Sequence, residues 1–174
     1  NAAGSITSAL ATLTVVMPPT VTVTATDANA SEPGANTGTF TLATANNSFT
    51  GGTVINGGTL ALGDTTNTLP DTGAVTVDGL SAILSLGSNS DTVGAVSLKG
   101  GASITGSGTL TGASYALESG SVSALLGGAG TLTKSTAGTV TLSAANPFTG
   151  ATSISGDTGQ ISSATNDATK SSSA

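Results

Sequence analysis

Threonine and small aliphatic residues alternate along most of this chain. "ATLTVV" (11–16) and "TVTVTAT" (20–26) set the pattern. "TFTLA", "TVING", "TLALG", "AVTVDG", "AILSLG", "AVSLKG", "TLTK" and "TVTLSA" repeat it. Each is four to seven residues long, and nearly all are bounded by Gly, Asn, Asp or Pro. A period of two puts one apolar face on a strand, and the boundary residues are those of tight turns. The pattern predicts many short strands. "ASYALESGSVSALLGG" offers a weak helix signal, undercut by its serines and glycines.

From residue 37 to about 161 an apolar-centred strand recurs every eight to twelve residues. That spacing suits a sandwich, a barrel or a solenoid. A longer repeat helps to choose. "GTFTLATANNSFTGGTVING" (38–57) returns as "GTVTLSAANPFTGATSISG" (138–156), and most paired positions agree once one residue beside Asn47 is skipped. Repetition on this scale favours a solenoid, in which each coil stacks on the last. The expected fold is all-β, a parallel β-helix with extended N-terminal strands; a β-sandwich is the alternative. About 124 residues at roughly 20 per coil give about six coils and roughly 30 Å of rod.

Composition agrees with stacked walls. Charged residues are 7% of the chain against the usual ~25%, yet 37% are hydrophobic, so a disordered chain is disfavoured. Stacked coils bring like charges together, so walls lose charge, whereas stacked hydroxyls and amides bond along the ladder. Corners call for Gly and Asn. There are three cationic residues, Lys99, Lys134 and Lys170, and the net charge is −6. Nucleic acid, which needs cations to displace counterions, is excluded as a partner. No run approaches the roughly 20 apolar residues of a membrane span. No signal peptide opens the chain, and the chain is expected to begin after any such signal.

The segment "GTLTKSTAGTVTLSAANPFTGATSISG" (130–156) resembles the autotransporter-associated β-strand repeat, loosely G-x-L-x-K-x-G-x-G-x-L-x-L-x-G-x-N-x-Y-x-G-x-T. Leu132, Lys134, Gly138, Leu142, Asn146, Phe148, Gly150 and Thr152 hold matching places. "LATANNSFTGGTVINGGTLALG" is similar through Asn46, Phe49, Gly52, Thr53, Gly58 and Leu60. Phe stands for the family's usual Tyr in both, and Ser135-Thr136 replaces a common Gly. The resemblance implies right-handed parallel β-helix stalks of large bacterial surface proteins, hence an extracellular or cell-surface location. Residues 1–15 resemble the last hairpin of a bacterial immunoglobulin-like domain, and residues 19–42 the opening of a Calx-β domain. The expected organisation is 1–17 as an Ig-like terminal strand, 18–36 as a Calx-β-like linker, 37–161 as β-helix and 162–174 as a flexible tail. Such a chain reads as a window from a longer multidomain surface protein.

Chemistry is harder to place. Without His, Cys or Arg, most nucleophile–base pairs vanish. Asp64, Asp71, Asp78 and Asp91 read as turn caps, and Lys99 and Lys134, at strand ends, as solvated corners. "GGAGTL" puts Leu132 where a calcium β-roll needs Asp. Asp27 and Glu32 are the residues by which a Calx-β resemblance would imply calcium, but the other ligand loops are missing. Asn29 and Asn46 sit in N-x-S sequons. No cofactor, metal or catalytic residue is assigned, and the chain is expected not to be an enzyme. The N-terminal strands raise another matter: Leu10, Leu13, Val15, Val21 and Val23 would line an edge able to exchange between chains. The expected role is a non-enzymatic stalk or self-assembling filament subunit, partnered by its own copies. The alternative is an adhesin for glycans or matrix proteins.

Overall fold

The computed structural model describes residues 38–155 in full and, for their backbone, the strands Val21–Thr24 and Gly159–Ser163. Every ladder among the described strands is parallel. A sandwich of hairpins would be antiparallel; a stack of coils must be parallel, because each turn of the chain runs the same way as the last. The fold is a β-solenoid of about six turns.

Strands are numbered in chain order and fall into three walls. The first wall stacks β1 (Val21–Thr24), the start of β3 (Thr53–Leu62), β4 (Val75–Asp78) and the end of β6 (Asp91–Lys99). It continues through the end of β8 (Thr109–Leu117), β11 (Thr131–Lys134) and β13 (Thr152–Ile154). The second wall stacks β2 (Thr39–Leu42), the end of β3, β5 (Ala82–Ser85) and β7 (Ala102–Thr105). β9 (Gly120–Val122), β12 (Gly138–Leu142) and β14 (Gly159–Ser163) complete it. A shorter third wall joins the starts of β6 and β8 to β10 (Leu125–Gly127).

Coil length follows from one column of the first wall. Thr53, Val75, Val96, Tyr115, Leu132 and Thr152 are successive register partners, at steps of 22, 21, 19, 17 and 20 residues. Alternation sorts the faces. Ile55, Val77, Leu98 and Leu117 form an inward column of the first wall, and Leu60, Leu84, Ile104, Val122 and Leu142 one of the second. Each fully buried aliphatic side chain stabilises the stack by about 1.5–3 kcal/mol.

Outward positions carry hydroxyls. Thr39 and Thr59 are partners on the second wall, as are Ser103, Ser121 and Thr141, and the Ser103 and Ser121 Oγ atoms lie 3.0 Å apart. The few wall charges alternate in sign: Asp78 is the register partner of Lys99, and Glu118 lies one step further on.

The expected strands 39–43, 53–63, 74–79, 82–87, 95–100, 131–134 and 139–144 all hold strand structure. The weak helix signal at 113–128 corresponds instead to the end of β8, β9 and β10. Lys134 overturns the reading of a solvated corner. It is 0% exposed, because it occupies the inward column next to Ile154. Its ammonium is held by the Thr136 carbonyl and lies 3.4 Å from Thr136 Oγ1, which donates to the Glu118 carbonyl at 3.2 Å. The aliphatic stem fills the column, and the charged head stays buried at the corner, where Thr136 holds it. A buried cation gains little over an apolar isostere, so Lys134→Met should leave the melting temperature equal or higher. Lys134→Ala, which opens a cavity, should lower stability by about 2–4 kcal/mol in urea unfolding.

Candidate functional site: the two repeat coils and the third wall

The two repeat copies are the first and last fully described coils. Thr53 and Thr152 stand in the same inward column. Gly150 belongs to a glycine stack between the third and first walls. A Cβ there would lie 2.0 Å from the Gly130 carbonyl oxygen, and one on Gly130 would lie 2.5 Å from that of Gly112. Extending the ladder by two residues makes the stack Gly51, Gly73, Gly94, Ala113, Gly130 and Gly150. Gly52 serves the turn itself. Its φ is +83°, and a Cβ would meet the Ala74 carbonyl at 2.7 Å.

The third wall is where backbone pairing gives way to side chains. Asn146 accepts from the Leu126 amide at 2.8 Å and donates to the Ala144 carbonyl at 2.9 Å. In the first copy Asn47, two residues before its phenylalanine, makes the inter-coil bond, donating to the Thr68 carbonyl at 2.8 Å and, within its own coil, to the Thr44 carbonyl at 2.7 Å. Asn46 instead lies at positive φ, stacked on Asn67, also at positive φ. Its amide donates to the Asn67 carbonyl at 2.7 Å, and Asn67 Nδ2 donates back to its Oδ1 at 3.2 Å. Asn tolerates this backbone region better than other residues with a Cβ. The extra residue of the first copy is therefore the Asn46 bulge. Adjacent asparagines hid this in the sequence; spacing from Phe49 would have revealed it.

Phe148 is buried and its ring centroid lies 6.1 Å from that of Tyr115, tilted by 54°; Phe49 is half-buried against the core. Tyr115 is the main residue that sequence reasoning passed over. It projects from the first wall to the third. Its hydroxyl accepts from the Gly112 amide at 2.6 Å and reaches the Leu110 and Gly127 carbonyls at 2.8 and 2.7 Å. Burial raises its phenol above the usual range, against the lowering by Gly112 and Gly127.

Asp91 is a cap of an unexpected kind. It lies in β6, 4% exposed, and its Oδ2 accepts from the Leu69 and Thr68 amides of the preceding coil at 2.8 and 3.1 Å. Oδ1 accepts from the Thr92 amide at 2.9 Å. Burial pushes its carboxyl above the ordinary 3.8, outweighing the three amides, and the Asp71 charge adds to the rise. The native state therefore takes up this proton before the unfolded chain does. The contribution is fully present below 3.8 and is lost as pH rises through the folded value. In urea unfolding from pH 7 downward, wild type should gain stability relative to Asp91→Asn as pH falls toward 3.8. Asp64 caps as expected, accepting from the Thr66 amide at 3.2 Å.

Among the described residues no three His, Cys, Asp or Glu side chains gather as a metal ion would require, and no helix is long and apolar enough to cross a membrane. Val21 and Val23 lie opposite Thr53 and Ile55 of the same chain. Leu10, Leu13, Val15, Asp27, Asn29, Glu32 and most of 162–174 lie outside the described residues.

Glycine-cornered coils, hydroxyl-covered walls and an aliphatic interior define a parallel β-solenoid of repeat type. Two segments, residues 35–62 and 132–156, match the family model of the passenger-associated-transport-repeat. They bear out the resemblance read from the sequence, and they contain the Asn47–Phe49 and Asn146–Phe148 pairs. The chain matches no curated protein and no solved structure.

Proposed function

We propose that this chain is a shaft segment of a surface-exposed, secreted passenger, acting as a stiff spacer without catalysis. The observation that carries this reading is the continuity of the ladders. The first wall runs from β1 to β13 and the second from β2 to β14 without a change of direction. Repeat segments of a passenger family at both ends support the extracellular location. Such a body resists bending because each coil is bonded to two neighbours along its walls. Among the described residues the outer faces carry hydroxyls rather than paired carboxylates or aromatic platforms, which suits a spacer better than a glycan site.

Small-angle scattering of the folded chain, together with a glycan and matrix-protein array, tests this. The shaft reading expects an elongated particle with no saturable ligand. Saturable binding of one glycan or matrix protein would replace it with an adhesin.

A further inference from the structure

Among the described residues the interior of the solenoid is closed in the middle and less covered in the first and last coils. Leu84, Leu98 and Ile104 are 0% exposed, whereas Phe40, Leu42 and Phe49 of the first coil and Ile154 of the last are half-buried. Thr152 Oγ1 is buried without a partner. Among the described residues no strand pairs with the outer sides of β1, β2, β13 or β14. These edges read VTVT, TFTL, TSI and GQISS, with none of the charges or prolines that usually protect an edge.

The chain itself shows what fits such an edge. In the first repeat copy, Thr53-Val54-Ile55 of β3 is covered by Val75-Thr76-Val77 of β4, with Val75 opposite Thr53 and Val77 opposite Ile55. In the second copy the equivalent triplet is Thr152-Ser153-Ile154 of β13. β1 carries the same Val-Thr-Val as β4, at residues 21–23. It meets the β3 triplet from the other side in the same register, Val21 opposite Thr53 and Val23 opposite Ile55. Val-Thr-Val therefore docks on Thr-x-Ile in one register from either side, and both cases are present.

We infer that β13 is the docking edge for β1 of a second copy of this chain, parallel, with Val21 opposite Thr152 and Val23 opposite Ile154. β2 of that copy then extends the second wall beyond β14, because the same two walls carry both pairs of edges. The contact is head-to-tail and does not close on itself, so it propagates as a filament. Each copy adds its seven first-wall strands, about 34 Å of length. This step goes beyond the shaft reading and rests on the edge register alone.

The chain has no cysteine, which permits a direct test. Position 22 should face position 153 of the next copy. Within one chain the two lie six strand spacings apart, roughly 29 Å, far outside disulfide reach. Under oxidation, a mixture of Thr22→Cys and Ser153→Cys chains should give mainly the mixed dimer. The double variant should form a ladder of multimers, seen by negative-stain microscopy as rods growing in steps of about 34 Å. Ser153 is exposed, so Ser153→Lys should keep the circular dichroism of the fold and lose the concentration-dependent association. Same-variant dimers in place of mixed ones, a single mass at every concentration, or undiminished association of Ser153→Lys would each overturn the proposal.

Discussion

Gly120→Ala should split the melting of the solenoid into two steps. Two faults coincide at this position. The φ of Gly120 is +135°, which a residue with a Cβ adopts only under strain, and a Cβ there would lie 2.2 Å from the Ala102 carbonyl oxygen. That oxygen belongs to the backbone of the coil beneath and cannot swing aside as a side-chain end would. The expected loss is roughly 2–5 kcal/mol at the joint between β7 and β9. A solenoid is stabilised by nearest-neighbour interfaces, so a defect in one joint uncouples what lies on either side. Coils after residue 120 should exchange their amide hydrogens faster, while β3 to β7 keep their protection. Gly87→Ala supplies the control. Its φ is +60° and nothing lies within 4 Å of its added Cβ, so it carries only the conformational cost, about 1 kcal/mol, and should leave a single transition. A single transition in Gly120→Ala at the wild-type temperature would mean that the coils slide apart easily at this corner.

What could be read from the sequence was whatever obeys a short period. Val75, Val77, Leu84 and Leu98 alternate with polar residues, so their strands and inward faces followed from a period of two. The repeat of 38–57 at 138–156 indicated stacking, because two coils in the same environment keep the same residues. The third wall was not legible. Beyond the short ladders of β6, β8 and β10, its coils are joined by Asp91, Asn47 and Asn146 side chains, whose partners lie about 20 residues away and leave no local pattern. Lys134 was misread for a related reason. A lysine at a strand end normally reaches solvent, and only its place in the column shared with Ile154 shows that its stem substitutes for an aliphatic side chain. The glycine stack lay between these cases. Each glycine was visible as a turn residue, but the backbone of the neighbouring coil, which excludes a Cβ, appears only once coils are superposed.

Tyr115 ties the first wall to the third through its ring and hydroxyl, and its replacement should be the most damaging change to a side chain. Tyr115→Ala removes a fully buried ring, at a cost of about 3–5 kcal/mol for a core aromatic. It also leaves the Gly112 amide and the Gly127 carbonyl without their hydroxyl partner. Tyr115→Phe isolates that second part and should cost about 1–3 kcal/mol, because the buried donor and acceptor remain while the ring is kept. The ring also explains its neighbour. A Cβ on Gly112 would lie 2.9 Å from Cε1 and Cζ of Tyr115, so Gly112→Ala should destabilise the wild type. In a Tyr115→Ala background the same alanine enters vacated space and should cost much less. The two losses are then smaller together than their sum, a coupling that a double-mutant cycle in urea reads directly. Tyr115 is the only tyrosine of the chain, so its titration can be followed by phenolate absorbance. Burial raises its folded pKa, so above pH 10 the unfolded chain ionises before the native one and stability falls as pH rises. Tyr115→Phe should lose that alkaline slope. If its stability declined with pH as steeply as wild type, the phenol would not be the group whose burial holds these walls together.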